Sequence, residues 1–508
     1  MAAIGYDIKD GIKYAKITIS KRVDGQVMTE QTHLGRVLDE KRGIYQNRER
    51  GVFTYDPKTD TYGKPPASFV PPPFKRKGSR ENLILDFGDT FFLSEYIKQK
   101  GLCASIDALS YGNPDTLYAM IYYYILCNMA NCHAQVWFEG SFVRELHPGA
   151  NLSSQRISDL LASIGDEWSQ REFFSEYLAL VAKRKGGNDI LIDSTGLPDS
   201  IHFPLTAISN HNGVISNEVR LIYVVQQQTD LPLFFRYCPG NVIDISTLLK
   251  TLHELKAYNV NTKFAILDAG YLDDQNIREL YENKISFLSR MKENRKVYKQ
   301  MVDKHLGSLE IKENLVEYNG RYVYIVCDEY EVVDGYKAYI YLCRDITMRG
   351  LESSKLFANA KKKNMSTSDV YDALENQGIF MLFSSRKIAK EKLLATYYMR
   401  AQIKQIFDIT KNYTNLLPLR VQTEETFRGH LVLAFLASVV VKMLQIDLKR
   451  TGYTVESALL NLRNQKCKVF DREVLPQEIV KKINDIYKTF KLTCPNSIPR
   501  KKADIFAV

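Results

Sequence analysis

Apolar and polar residues alternate in short bursts at 13–20 and 52–55, with Gly and Asp between them, which predicts a small β-rich unit over residues 1–62. The segment 63–79, GKPPASFVPPPFKRKGS, holds five prolines and a basic run and reads as an extended, semi-rigid linker. From about 83 to 185 the period turns helical. LSSQRISDLLASI at 152–164 places apolar residues three and four apart behind Ser153 or Ser154 as N-cap, and a helical region over 80–186 follows. Such a region either grips DNA or serves as a plain scaffold.

The pattern then changes. DILID (189–193), VRLIYVVQ (219–226), LPLFFRY (231–237), KFAILD (263–268) and ISFLSRM (285–291) are short buried-strand runs, with a helical stretch at 247–258. Strands with an intervening helix predict an α/β core over 187–300. Residues 309–343 run almost wholly to β patterns, the centre of a β-rich insertion over 301–375. GIFMLFS (378–384) resumes the core over 376–450, followed by a long helix at 389–413 and a very apolar one at 424–450. The tail 451–508 reads as helical and basic.

A length of 508 residues implies about three domains. Hydrophobic residues at 45% and charged residues at 25% exclude a disordered chain. The excess of 69 Lys+Arg over 59 Asp+Glu, +10, favours a polyanionic partner without naming one. The basic clusters are Lys75-Arg76-Lys77, Lys183-Arg184-Lys185, the stretch 290–299 and Lys361-Lys362-Lys363; together they would form a phosphate track, singly a solvated surface. Eight cysteines show no C-x-x-C, and Cys127, Cys132 and His133 follow an apolar run, so buried structural cysteines are expected there rather than a metal cluster. His202 and His211 lie near the first candidate acid, where packing or surface roles are the simpler reading. MAAIGYDIKDG carries charges where a secretory apolar region would stand, and 431–441 is about half of the ~20 residues a membrane span needs. The expectation is a cytoplasmic protein in a reducing compartment with no membrane partner. A phosphate loop ending in Lys-Ser/Thr and a serine-hydrolase elbow are both missing from the sequence.

Asp193 and Asp268 each end an apolar run and are followed by Ser194-Thr195-Gly196 and by Ala269-Gly270. Ligands of open α/β sheets collect at the carboxyl ends of strands, where a rigid carboxylate suits a hard cation. Alone, each Asp reads more simply as a cap or turn former. As a pair in one α/β core they point to a cation site.

The late helix contains Tyr397, Arg400, Lys404 and Lys411. Here the chain resembles the DDE transposases of bacterial insertion sequences, in the subgroup with Y-x2-R-x3-E-x6-K, with Tyr397, Arg400 and Lys411 on that spacing. Asp193-Ser194-Thr195-Gly196 and Asp268-Ala269-Gly270-Tyr271 match the first two acids. CPGNVIDISTL (238–248), FLSRMKEN (287–294) and SSQRISDLLASIGDE (153–167) are similar to the family as well. The resemblance implies an RNase-H-like α/β core with a β insertion, flanked by the β-rich N-terminal unit and helical DNA-binding regions. It implies two Mg²⁺ (or Mn²⁺) ions held by Asp193 and Asp268, and DNA contacts by Tyr397, Arg400 and Lys411. For Arg400 and Lys411 the alternative is a solvated helix face, and for Tyr397 packing against the core. The implied partner is double-stranded DNA, both transposon ends and target, met by a homodimer in the bacterial cytoplasm at the nucleoid.

One position departs from the pattern. Lys404 stands where the family has its catalytic Glu, so an ammonium replaces a ligand to a dication. At an effective dielectric constant near 20 and 4 Å, a unit charge meets a dication with about 8 kcal/mol, here with the sign reversed. Asp408, one turn on, shares the face at i+4. Two readings stay open: a working transposase that tolerates Lys404, and a transposase-derived protein that binds DNA without cutting it. A sequence-nonspecific nuclease on the same core is a weaker third.

Overall fold

A computed structural model of the chain describes residues 3–9, 12–23, 26–47, 49–66, 69, 81–184, 186–198, 205–211, 214–242, 245–414, 416–419 and 421–500. Most of the linker 63–79, with Lys75-Arg76-Lys77, and also Lys185 and His202, lie outside the described residues, as does the side chain of His211. Two units divide the chain, Met1–Arg80 and Glu81–Val508.

In the first unit, β1 (Ala3–Lys9), β2 (Ile12–Val23), β3 (Gln26–Asp39), β4 (Ile44–Asn47), β5 (Gly51–Asp56) and β6 (Thr61–Gly63) follow one another as an antiparallel meander. One face is apolar, with Ala15, Ile17, Leu34, Tyr45, Phe53 and Tyr55 packed together. β3 has no apolar burst in its first half, and residues 29–33 are exposed. It is held by its pairing with β2 rather than by burial, so the local pattern did not announce it.

The second unit opens with β7 (Glu81–Asp86) and a helical run, α1 (Gly88–Gln99), α2 (Cys103–Asp107), α3 (Pro114–Leu126), α4 (Ala134–Gly140), α5 (Val143–Leu146), α6 (Ser154–Ile164) and α7 (Glu167–Ala182). Ser153 is the N-cap of α6. The central sheet is built from β8 (Ile190–Pro198), β9 (Ala207–His211), β10 (Val214–Gln226), β11 (Pro232–Pro239), then α8 (Ile245–Ala257), β12 (Phe264–Leu267), α9 (Asp274–Glu282), β13 (Ser286–Arg290), α10 (Lys296–His305), β14 (Leu315–Tyr318), β15 (Arg321–Val333), β16 (Tyr336–Asp345), the helices α11 (Ile346–Lys363) and α12 (Thr367–Glu375), and β17 (Ile379–Ser384). Its order is β11-β10-β8-β12-β13-β17-β16-β15-β14, with β9 on β10. β8, β12 and β13 are parallel, and both flanks are antiparallel. The β patterns of 301–375 are β14, β15 and β16, which pair onto β17 at one side of the sheet.

Three expectations are corrected. The helix expected over 389–413 is broken into α13 (Lys390–Tyr398), α14 (Ala401–Asp408) and a π-helical turn, Ile409–Tyr413. The tail is not all helical. After α15 (Glu424–Leu448) and α16 (Val455–Arg463) come β18 (Lys466–Phe470), β19 (Glu473–Pro476), α17 (Lys481–Thr489) and β20 (Ile498–Pro499), and β18 pairs with β7. That pairing buries Cys467 and Val469 beside Leu85. The Cys127 and Cys132 pair is not a buried one, because α3 stops at Leu126: Cys127 is half-buried at its end and Cys132 is exposed.

α15 is long and apolar enough to cross a membrane by length and composition, yet most of it is buried inside the protein. It packs on α6 at a backbone-to-backbone distance, since a Cβ on Gly429 would lie 1.9 Å from the Leu161 carbonyl oxygen. Its Phe435 ring meets Phe173 and Tyr177 of α7 and Tyr223 and Phe235 of the sheet, at centroid distances of 5.3–6.2 Å. α15 thus ties the helical run to the sheet that carries the acids.

Candidate active site

β8 and β12 are parallel neighbours with Leu191 opposite Ile266. Asp193 and Asp268 each lie two residues further on, so the period of two puts both on the same face of adjacent strands. β8 does not end at Asp193 as the sequence predicts. β10 continues its ladder from Tyr223 opposite Asp193 to Glu218 opposite Pro198, while the parallel ladder with β12 stops at Leu191. Asp193 therefore sits on a strand held from one side and open on the other. Asp268 follows β12 and caps a short 3₁₀ turn, Ala269–Tyr271, its Oδ1 accepting from Ala269 N at 2.8 Å. The cap and the acid-pair readings hold together for Asp268.

Arg400 joins the two acids. Its Nη1 donates to Asp268 Oδ1 at 2.7 Å, its Nε lies 3.4 Å from Asp193 Oδ2, and Nη1 also donates to the Tyr397 hydroxyl at 3.0 Å. It reaches them from the break between α13 and α14. Asp193 is the dry partner, its side chain 10% exposed against 42% for Asp268. Burial raises the Asp193 carboxyl above its ordinary range; the Arg400 charge opposes this and the Asp268 charge adds to it. Tyr397 is buried, and burial pushes its phenol up.

Lys404 is exposed on α14, one turn after Arg400. Its charge lowers the Asp193 pKa, the least of the effects acting on that carboxyl. Asp408 points elsewhere. It accepts from Asn412 Nδ2 at 2.6 Å and lines a cleft of about 470 Å³ with Asn128, Glu456 and Arg463, to which neither Asp193 nor Asp268 belongs. Asp408 is thus not brought to the acids. α14 is held against the sheet by Phe407, stacked on Tyr223 of β10 at 5.5 Å.

Lys411 stands in the π-helical turn, an irregularity frequent at functional sites. Its Nζ donates to Thr195 Oγ1 and to the Gly196 carbonyl oxygen, both at 2.7 Å, and so pins the segment just beyond Asp193. Burial lowers its pKa, opposed by the charge of Glu218. Glu218 is a residue the sequence reading missed. It is 5% exposed on β10, Arg220 Nη2 lies 3.8 Å from its Oε1, and a Cβ on Gly196 would come 2.0 Å from its Oε2. The available signal was an acid directly before the strand run 219–226.

Residues 186–440 match the family described as Transposase DDE domain. The chain belongs to the DDE transposases. Among solved structures, a synaptic complex of piggyBac transposase with hairpin DNA is similar over 74% of this chain and 78% of that chain, at 11% identity and a TM-score of 0.39. No curated protein matches the chain. DDE transposases use divalent metal ions. Asp193 and Asp268 supply hard oxygens on one face, which suits one ion completed by water and phosphate oxygens. They bring no third ligand with them for a second ion, since no group of three Asp, Glu, His or Cys gathers among the described residues. Any ion would also have to displace the guanidinium of Arg400.

Proposed function

We propose that this transposase acts on duplex DNA at the ends of a bacterial insertion sequence of the Y-x2-R-x3-E-x6-K subgroup. It hydrolyses the end phosphodiester, passes the freed 3′-hydroxyl to target DNA, and is slowed at both steps by Lys404. The observation that carries this is the carboxylate pair on adjacent parallel strands, bridged by an arginine from the late helix. The strand order β11-β10-β8-β12-β13, with α8 and α9 as connections, supports an RNase-H-like core. The helical run α1–α7 and the basic tail are read as the DNA-binding flanks, and the β-rich N-terminal unit, the linker and the β14–β16 extension as additions to that core. Two copies acting on paired ends, in the cytoplasm at the nucleoid, complete the reading.

Asp193 and Asp268 would hold one Mg²⁺ or Mn²⁺. Bound there, the ion supplies Lewis acidity and a template for phosphoryl oxygens. The chain's own residues do the rest. Arg400 uses Nε and Nη1 on the acids, and an incoming phosphate competes for this fork, for which bidentate phosphate geometry is well suited. Tyr397 fixes the fork's orientation through its hydroxyl. Lys411 is a positioning residue for β8 whose third N–H is available to a DNA phosphate.

The test is an assay on labelled terminal inverted-repeat DNA with Mg²⁺ or Mn²⁺. Slow nicking at the ends, abolished by Asp193→Ala or Asp268→Ala and raised by Lys404→Glu, supports the reading. Lys404 itself favours a second reading, a transposase-derived DNA-binding protein. It requires band-shift of the same DNA with no nicking at any metal concentration.

A further inference from the structure

α11 and α12 lie on the surface with little of either helix covered. None of their residues is buried, although α11 has 18 residues and α12 has 9. The side of α11 turned to the protein is tied down by polar groups. Arg349 Nη1 bonds Glu310 Oε1 at 2.8 Å, Glu352 Oε2 accepts from Gly378 N at 2.7 Å, and Asp345 Oδ1 caps Met348 N at 3.0 Å. Arg344 of β16 donates to the Glu375 carbonyl oxygen at the end of α12. Leu356, Val370 and Leu374 are half-buried against the protein, but three large apolar side chains stand in water: Leu351 is 56% exposed, Phe357 53% and Tyr371 66%. A helix pair fastened largely by polar bonds, with Leu351, Phe357 and Tyr371 left in water, offers a face to another surface.

Charge identifies the occupant. Lys355, Lys361, Lys362 and Lys363 are exposed on α11, and Asp369, Asp372 and Glu375 are exposed on α12. No ion pair joins these two sets within the chain among the described residues. A basic helix beside an acidic one, each with exposed apolar residues, is complementary to itself under a two-fold rotation. We infer that this helix pair is a docking surface for a second copy of the chain, α11 of each copy lying on α12 of the other. DNA is disfavoured because the three acids of α12 would face its phosphates. α11 is about 27 Å long, from 18 residues at 1.5 Å each. A patch of that length buries roughly 1,000 Å² in total, the low end for specific interfaces, which suits a transient association. The inference deepens the two-copy reading above but does not rest on DNA chemistry, and its test contains no DNA.

The full chain would be followed by sedimentation velocity from 1 to 100 μM in low salt and in 0.5 M salt. A reversible dimer weakened by salt is expected. Lys355→Glu with Lys361→Glu and Lys362→Glu should weaken it at least tenfold, and adding Asp369→Lys, Asp372→Lys and Glu375→Lys to the same chain should restore it. Leu351→Glu with Phe357→Glu should abolish it. None of these side chains is buried, so the variants should keep the parent melting temperature. A monomer at 100 μM, a dimer indifferent to the first set, or no restoration by the second overturns the inference. So does a monomer whose α11 reversal weakens DNA binding without rescue, which would assign the face to DNA. A parent that dimerises but cuts no DNA would count against the transposase reading alone.

Discussion

Replacing Lys404 by Glu reverses one charge beside the Asp193–Asp268 pair. Lys404 is exposed, so the effective dielectric constant is taken near that of water and not the value of 20 suited to a drier site. At an illustrative 4 Å, a unit charge and a dication then interact with about 2 kcal/mol. Lys404→Gln removes a repulsion of that size and should strengthen metal-dependent nicking by roughly 30-fold at subsaturating Mg²⁺. Lys404→Glu adds an equal attraction, for about 4 kcal/mol and roughly 1,000-fold in all. The readout is the nicking rate on labelled end DNA across a Mg²⁺ titration, with band-shift affinity measured alongside. Affinity should change by no more than a few-fold, because a single exposed charge carries little of the phosphate contact. A parent that already cuts well and is unmoved by either substitution would place the third ligand elsewhere and refute the reasoning.

Three other outcomes follow from the same geometry. Arg400→Gln removes the charge that holds down the Asp193 carboxyl, so its pKa should rise further when followed by ¹³C NMR, with about 2 kcal/mol lost in urea unfolding; an unmoved titration would remove Arg400 from the acid pair. Lys411→Met leaves Thr195 and the Gly196 carbonyl without their donor and should cost about 2 kcal/mol, while a change below the error of the melt would mean the π-helical turn does not pin β8. His430 is buried between the Tyr124 hydroxyl and the Leu416 carbonyl oxygen, and burial lowers its pKa from 6.5 to about 4. A depressed pKa gives stability present above 6.5 and lost as pH falls through 4, about 3 kcal/mol, so the pH 7 to pH 4 loss should shrink in His430→Gln. An equal loss in both proteins would contradict the burial account.

The parts of the fold legible in sequence are those whose signal is local. DILID, VRLIYVVQ, KFAILD and ISFLSRM lie at observed strands because buried runs of that length carry their own pattern. The acid pair was legible for the same reason: β8 and β12 are parallel and buried, and each acid sits just past its run. Distant pairing was not legible. β8 runs past Asp193 because β10 supplies a ladder there, and β18 is a strand because β7, some 380 residues earlier, pairs with it. The break at 399–400 that aims Arg400 has no Gly or Pro to mark it. Glu218 was missed because nothing near it in sequence tells that Gly196 packs against it and that its charge acts on Lys411. α11 and α12 were not legible at all: both lie inside 301–375, read as β-rich, and with no buried residue neither carries a clear apolar stripe.

The central claim is that Asp193 and Asp268 form a metal site limited to one ion by Lys404. Counting bound Mn²⁺ by electron paramagnetic resonance on the full chain tests it most directly. The account predicts one ion on the parent, none on Asp193→Ala and two on Lys404→Glu. Two ions on the parent, or binding that survives Asp193→Ala, would contradict it.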